Sequence, residues 1–210
     1  MALHNWWLFV VAVFLLSATP GPNMLHVLSR SVELGYRRSV AAMAGCLAAL
    51  LCLLAASVAG LSTLLHAMPG LFTILRYAGA AYLLYLGYRA WRAPVEVAAA
   101  VEGTHVLSAP HVPARTVFRT GFTISISNPK AILFAAAFLP QFIDAGRPQL
   151  PQFAILVATF AVIEGLWYNI YALGGRSIAA SLTRAPVKRL FNRLTGSIFA
   201  GFGLALLANR

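Results

Sequence analysis

The sequence predicts an all-α polytopic membrane protein of six transmembrane helices, built as a 3+3 inverted repeat in which helices 1 and 4 are interrupted, with both termini outside the cytoplasm. Three observations lead there. First, the 210 residues are 60% hydrophobic and only 10% charged, with a mean hydropathy of +0.78, whereas a soluble domain carries about 25% charged residues. Second, the apolar residues fall into runs long enough to cross a bilayer, which takes about 20 residues each. Third, the basic residues gather in alternate connections between those runs.

The runs lie near residues 6–28, 40–65, 71–91, 119–142, 150–173 and 190–208. The connection after the first holds Arg30, Arg37 and Arg38. The one after the third holds Arg89, Arg92, Arg115 and Arg119, and the one after the fifth holds Arg176, Arg184, Lys188, Arg189 and Arg193. Arg76, Arg147 and Arg210 fall on the opposite side, and Lys130 lies inside a span. Cytoplasmic loops of membrane proteins are enriched in Lys and Arg, so the basic side is the inner one. This placement accounts for most of the net charge of +11 without a nucleic-acid partner, for which no polar, basic surface domain exists. Trp6 and Trp7 mark an outer end, while Tyr36, Tyr88 and Trp91 mark inner ends.

The chain divides into residues 1–93 as a first three-helix half, 94–116 as a cytoplasmic linker, and 117–210 as a second half, all in one transmembrane domain. The linker carries Pro94, Pro110 and Pro113 with many alanines. Its histidines, His105 and His111, have no third ligand or cysteine nearby, so no metal is expected there. The first apolar run lacks a positive leader and is read as a helix of the mature chain rather than a signal peptide. Cys46 and Cys52 are six apart on one span, about 9 Å along the axis and on different faces, so they cannot pair with each other. Small residues at Ala41, Gly45, Ala49, Gly79, Gly87, Gly196, Ala200 and Gly201 suit close helix packing.

Because each half has an odd number of spans, the second half runs through the membrane inverted relative to the first. The first span of each half is interrupted. Thr19, Pro20, Gly21, Pro22 and Asn23 break one, and Asn128, Pro129 and Lys130 break the other. Proline inside a helix removes a backbone donor and clashes with the preceding turn. Thr19 before Pro20 and Asn128 before Pro129 have the form of an N-cap followed by proline at the first helical position, so each is expected to open a half-helix inside the membrane. Such starts carry free amides and partial positive charge, which suits a carboxylate. Matched interruptions in inverted halves mark the substrate site of a transporter.

Two charges lie at bilayer depth. An ionised side chain there persists when it is paired or lines a cavity. Lys130 follows the second break, and near the inner interface it has the alternative of snorkelling. Glu164 lies deep in the fifth span with Trp167 and Tyr168 on its face, three and four residues on. Lys130 and Glu164 are candidates to pair with each other.

Pro20, Gly21, Pro22 and Asn23, the run from Ala80 to Gly87, and the run from Asn128 to Phe134 together resemble the lysine exporter and homoserine/threonine exporter (LysE/RhtB) family, over nearly the whole chain. The resemblance implies a secondary transporter of the bacterial inner membrane that exports amino acids or close analogues, driven by an ion gradient, with the proton as the expected coupling ion. It carries function onto Pro20, Gly21, Pro22, Asn23, Asn128, Pro129 and Lys130. The physical argument adds Thr19, Trp167 and Tyr168 to substrate binding and gives Glu164 the proton. The expected partners are the substrate, the coupling ion and the lipid bilayer, with self-association into a homo-oligomer left open. No cofactor and no catalysis are expected, since no nucleophile triad, phosphate loop or metal spacing appears. A metal-cation exporter of related fold would need His, Asp or Glu clustered in the spans, and a thiol electron carrier would need two cysteines facing one cavity.

Overall fold

The computed structural model describes residues 1–67, 69–92, 112–144, 146–182 and 185–208. These are helical nearly throughout, with no strand among the described residues. Helices α1 (Leu3–Ala18) and α2 (Pro22–Leu34) meet at a bend of 52°. After them come α3 (Tyr36–Ala67), α4 (Pro69–Arg92) and α5 (Ala114–Ile126). A second bend, of 55°, separates α5 from α6 (Pro129–Leu133), which continues through a π-helical turn (Phe134–Phe138) and a 3-10 turn (Leu139–Phe142). The long α7 (Gln149–Leu182) and α8 (Ala185–Ala208) complete the chain. Each apolar run of the sequence falls on one helix or one bent pair. Most of the expected linker, with His105 and His111, lies outside the described residues.

Proline and glycine set the boundaries. Thr19, Gly21 and Asn128 each precede a proline, and all three have extended backbone (ψ 130°, 178° and 114°), because a following proline disfavours helical geometry. Gly35 ends α2 at φ +79°, ψ 162°, a conformation essentially confined to glycine. This single residue lets α3 begin at once.

Close packing uses the small residues. Helix α3 lies along α5 and α4 along α8, while α2 packs on α3 and α7. A methyl group at Gly121 would sit 2.6 Å from the carbonyl oxygen of Ala42, and one at Gly87 would sit 2.9 Å from that of Gly196. Backbones approach this closely only where side chains are absent. Gly45, Gly87 and Gly196 therefore act as the sequence suggests, whereas a methyl at Gly201 would meet nothing within 4 Å.

Polarity is distributed inside out. Ser17, Thr19, Asn23, Ser125, Asn128 and Glu164 are buried, while Leu150, Val162 and Leu173 are more than two-thirds exposed. A chain whose surroundings are lipid keeps apolar side chains outside and satisfies polar groups within. Among the described residues, Tyr36–Gly60 and Gln149–Gly174 are each long and apolar enough to cross a membrane, and the two bent pairs raise the number to four.

Candidate functional site

The first break is held open by what its prolines cannot donate. In an uninterrupted helix the carbonyl of Leu16 would accept from the N–H of residue 20, and that of Ala18 from the N–H of residue 22. Both positions are proline, so neither donates, and the Leu16 carbonyl takes the Thr19 amide at 3.2 Å in place of its regular donor. Lys130 Nζ donates to the Leu16 oxygen at 2.6 Å and to Thr19 Oγ1 at 2.7 Å. Tyr171 Oη donates to the Ala18 oxygen at 2.9 Å. The new helix starts at Pro22 with Gly21 in the N-cap position, and Thr19 closes α1, its hydroxyl donating back to the Leu16 carbonyl at 2.6 Å. The expected N-cap role of Thr19 with Pro20 at the first helical position is thus corrected. Pro22, the second proline, forces Gly21 into extended backbone and so pushes the helix start two residues on.

The second break follows the expected pattern. Asn128 is the N-cap, its Oδ1 accepting from the Lys130 amide at 3.0 Å, with Pro129 at the first helical position. Pro129 leaves the Ser125 carbonyl without its usual donor, and the Asn128 amide closes on it at 3.1 Å. Further along, Pro140 deprives the π-turn of a donor, and the Ser57 hydroxyl bonds the Ala135 carbonyl instead.

The two breaks face one another. Asn128 Nδ2 donates to Asn23 Oδ1 at 2.9 Å, and Asn23 Nδ2 donates to Ser125 Oγ at 2.9 Å and Tyr168 Oη at 3.2 Å. Ser125 Oγ in turn donates a hydrogen bond to the Cys46 carbonyl at 3.0 Å. Both donors and the oxygen of the Asn23 carboxamide, and the oxygen of Asn128, thus have protein partners, while one hydrogen of Asn128 Nδ2 remains for a ligand. The carboxylate of Glu164 has the hydroxyls of Ser17 and Tyr168 as hydrogen-bonding neighbours.

Between the breaks is a small cavity of about 30 Å³. Gly21, Asn23, Asn128, Lys130, Glu164 and Ser17 supply its polar wall. Lys130 and Glu164 border the same space without forming the expected ion pair; the ion pairs among the described residues are Arg30–Glu33 and Arg147–Asp144. The ammonium of Lys130 is drawn instead to the C-terminal end of α1.

On the side toward the N-terminal end of α1, the cavity is shut by aromatic rings. Phe134 stacks on Phe160 with centroids 4.6 Å apart, and Phe138 follows at 5.0 Å from Phe134, with Phe9 and Phe142 behind. Phe138 and Phe142 also border a second cavity, of about 570 Å³, between α1, the 3-10 turn and α8, with His4, Asn5 and Gln141 on its rim. One layer of phenylalanine rings therefore separates the two spaces.

Of the residues singled out by sequence, Gly21, Asn23, Asn128, Lys130 and Glu164 line the small cavity, while Thr19 and Tyr168 hold its members by hydrogen bonds. Pro20, Pro22 and Pro129 shape the backbone. Trp167 lies elsewhere: its ring packs against Phe14 at 5.1 Å, and its Nε1 has no hydrogen-bond partner among the described residues. Sequence reasoning missed Ser17, Ser125, Phe134 and Phe160. Only Ser125 had a local signal, four residues before Pro129. Cys46 is buried and Cys52 exposed, so they do not share a cavity. No cluster of three metal-ligating side chains occurs among the described residues.

Helices broken by proline, joined by carboxamides at a buried cavity with both signs of charge and wrapped in exposed leucine and valine, define a membrane-embedded translocator. The chain belongs to the LysE type translocator family, whose family model matches residues 14–210. It is 35% identical over 209 residues to the homoserine/homoserine lactone efflux protein of Salmonella typhimurium, covering 100% of this chain and 98% of that one. It is 33% identical over 204 residues to the leucine efflux protein of Salmonella choleraesuis, covering 96% of this chain and 94% of that one, and 33% identical over 205 residues to the leucine efflux protein of an Enterobacter species. No solved structure matches the chain.

Proposed function

We propose that the protein is a proton-coupled secondary transporter that exports amino acids or close analogues across a bacterial inner membrane. The observation that carries this reading is that Lys130 and Glu164 border one small cavity without pairing, together with the bridged carboxamides of Asn23 and Asn128. An amino acid presents a carboxylate and an ammonium, and this cavity offers a cation, an anion and two carboxamides. The names of the relatives point to the same substrate class.

In this reading the carboxylate is met by Lys130 and the amides of Asn23 and Asn128, and the ammonium by Glu164 and Tyr168. A cavity of about 30 Å³ cannot hold an amino acid, so the substrate-loaded state is an expanded one. Lys130 leaves the end of α1 to reach the substrate, and a proton on Glu164 takes the place of the substrate ammonium when the site is empty. The phenylalanine layer at Phe134 and Phe138 is the barrier toward the larger cavity, which serves as the exit. That exit is outer if both termini lie outside. The cation–π contacts of Arg92 with Tyr88, at 5.0 Å, and Arg89 with Tyr85, at 5.9 Å, suit an inner interface for that end of α4. Bends of similar size at the start of each half support six spans in an inverted repeat.

The test is counterflow of labelled amino acids in proteoliposomes containing the wild type or Lys130→Met. The wild type is expected to exchange at least one amino acid, and the variant to lose at least tenfold in rate while inserting normally. Equal exchange by Lys130→Met contradicts the proposed role of the lysine. Absence of any amino-acid exchange by the wild type contradicts the function.

A further inference from the structure

The cavity between the breaks has a charged level and an apolar level. Lys130 and Phe134 are four residues apart on one helical segment, as are Phe160 and Glu164 on α7, so the members of each pair share a face one turn apart. The two phenylalanines stack on each other at 4.6 Å. Both turns therefore lead away from the charges toward the same end, about 5 Å further along. Leu16, Met24 and Leu50, all buried, add aliphatic wall to the same cavity. None of these five side chains carries a hydroxyl, an amide or a charge.

Resting on the export reading above, we infer that the apolar level receives the side chain of a neutral aliphatic amino acid, and that Leu50 and Met24 set this preference. Glu164 is the one acidic side chain lining the cavity, and the α-ammonium of any amino acid claims it. A second ammonium, as in lysine, would enter the phenylalanine end without a carboxylate, and an unpaired buried charge is strongly unfavourable. Ring faces can attract a cation, but Phe134 and Phe160 already spend one face each on their mutual stack, and a ring face alone does not replace a carboxylate. A side-chain hydroxyl would give up its water hydrogen bonds and find no replacement. A branched aliphatic chain loses nothing polar and covers the rings.

The experiment is counterflow in proteoliposomes with leucine, homoserine and lysine, for the wild type, Leu50→Thr and Met24→Thr. The wild type is expected to favour leucine over lysine by roughly 100-fold or more, and Leu50→Thr to lower the leucine-to-homoserine ratio by about tenfold. Met24→Thr gives the same readout if Leu50→Thr does not insert. Wild-type exchange of lysine or homoserine as fast as leucine overturns the inference and leaves the export reading standing. An unchanged ratio in an inserted threonine variant overturns the role of that residue and with it the apolar selection. Exchange of no amino acid overturns both readings together.

Discussion

Asn128 Nδ2 donates to Asn23 Oδ1 at 2.9 Å across 105 residues of sequence. That bond ties the two helix breaks to each other, and Asn128 also caps α6 through its Oδ1. Removing the side chain acts twice. Asn128→Ala loses a cap contributing about 1 kcal/mol and leaves the Asn23 acceptor buried without a donor, at about 1–3 kcal/mol. The expected outcome is insertion in normal amount, a lowered unfolding temperature in detergent, and loss of export. Asn128→Asp keeps the cap and lacks the amide donor, so it is expected to recover stability in part and export not at all. Transport assays beside thermal unfolding separate the two effects.

Tyr168 and Trp167 are neighbours on α7 with different fates. Tyr168 accepts from Asn23 and is fully buried, whereas Trp167 packs on Phe14 away from the cavity. Tyr168→Phe removes one hydroxyl and is expected to raise the half-saturating substrate concentration several-fold. Trp167→Phe keeps a ring against Phe14 and is expected to transport like the wild type. Concentration-dependent counterflow measures both.

Two glycines distinguish backbone need from space. Gly35 sits at φ +79° with nothing within 4 Å of an added methyl, so Gly35→Ala is strained by conformation alone, by about 1–3 kcal/mol. Gly21 has ordinary extended backbone, and a methyl there would touch Lys130 Cδ at 3.7 Å, a normal contact. Gly21→Ala is expected to leave the unfolding temperature within a degree or two of wild type, while Gly35→Ala lowers it clearly.

The breaks themselves were legible because proline acts locally. Pro20, Pro22 and Pro129 interrupt apolar runs wherever the rest of the chain goes, and Asn128 caps the residues beside it. The role of Thr19 was less legible, since two prolines two residues apart compete to define the helix start and the later one prevails. What Lys130 touches could not be read at all. Its partner, the Leu16 carbonyl, lies 114 positions away and lacks its regular helical donor because residue 20 has no N–H. The same holds for Phe134 against Phe160 and for Ser125 beneath Asn23. These side chains are unremarkable in an apolar run, and only the docking of α5, α6 and α7 around the first break gives them a place in the site.

In the proposed mechanism one cavity serves both the substrate and the proton, with Glu164 as the group they share. Substrate accumulation driven by an imposed pH gradient, measured in proteoliposomes for wild type and Glu164→Gln, tests it most directly. The account predicts that the wild type concentrates its substrate along the gradient and that Glu164→Gln, inserted in equal amount, does not. Gradient-driven accumulation by Glu164→Gln at the wild-type level would contradict it.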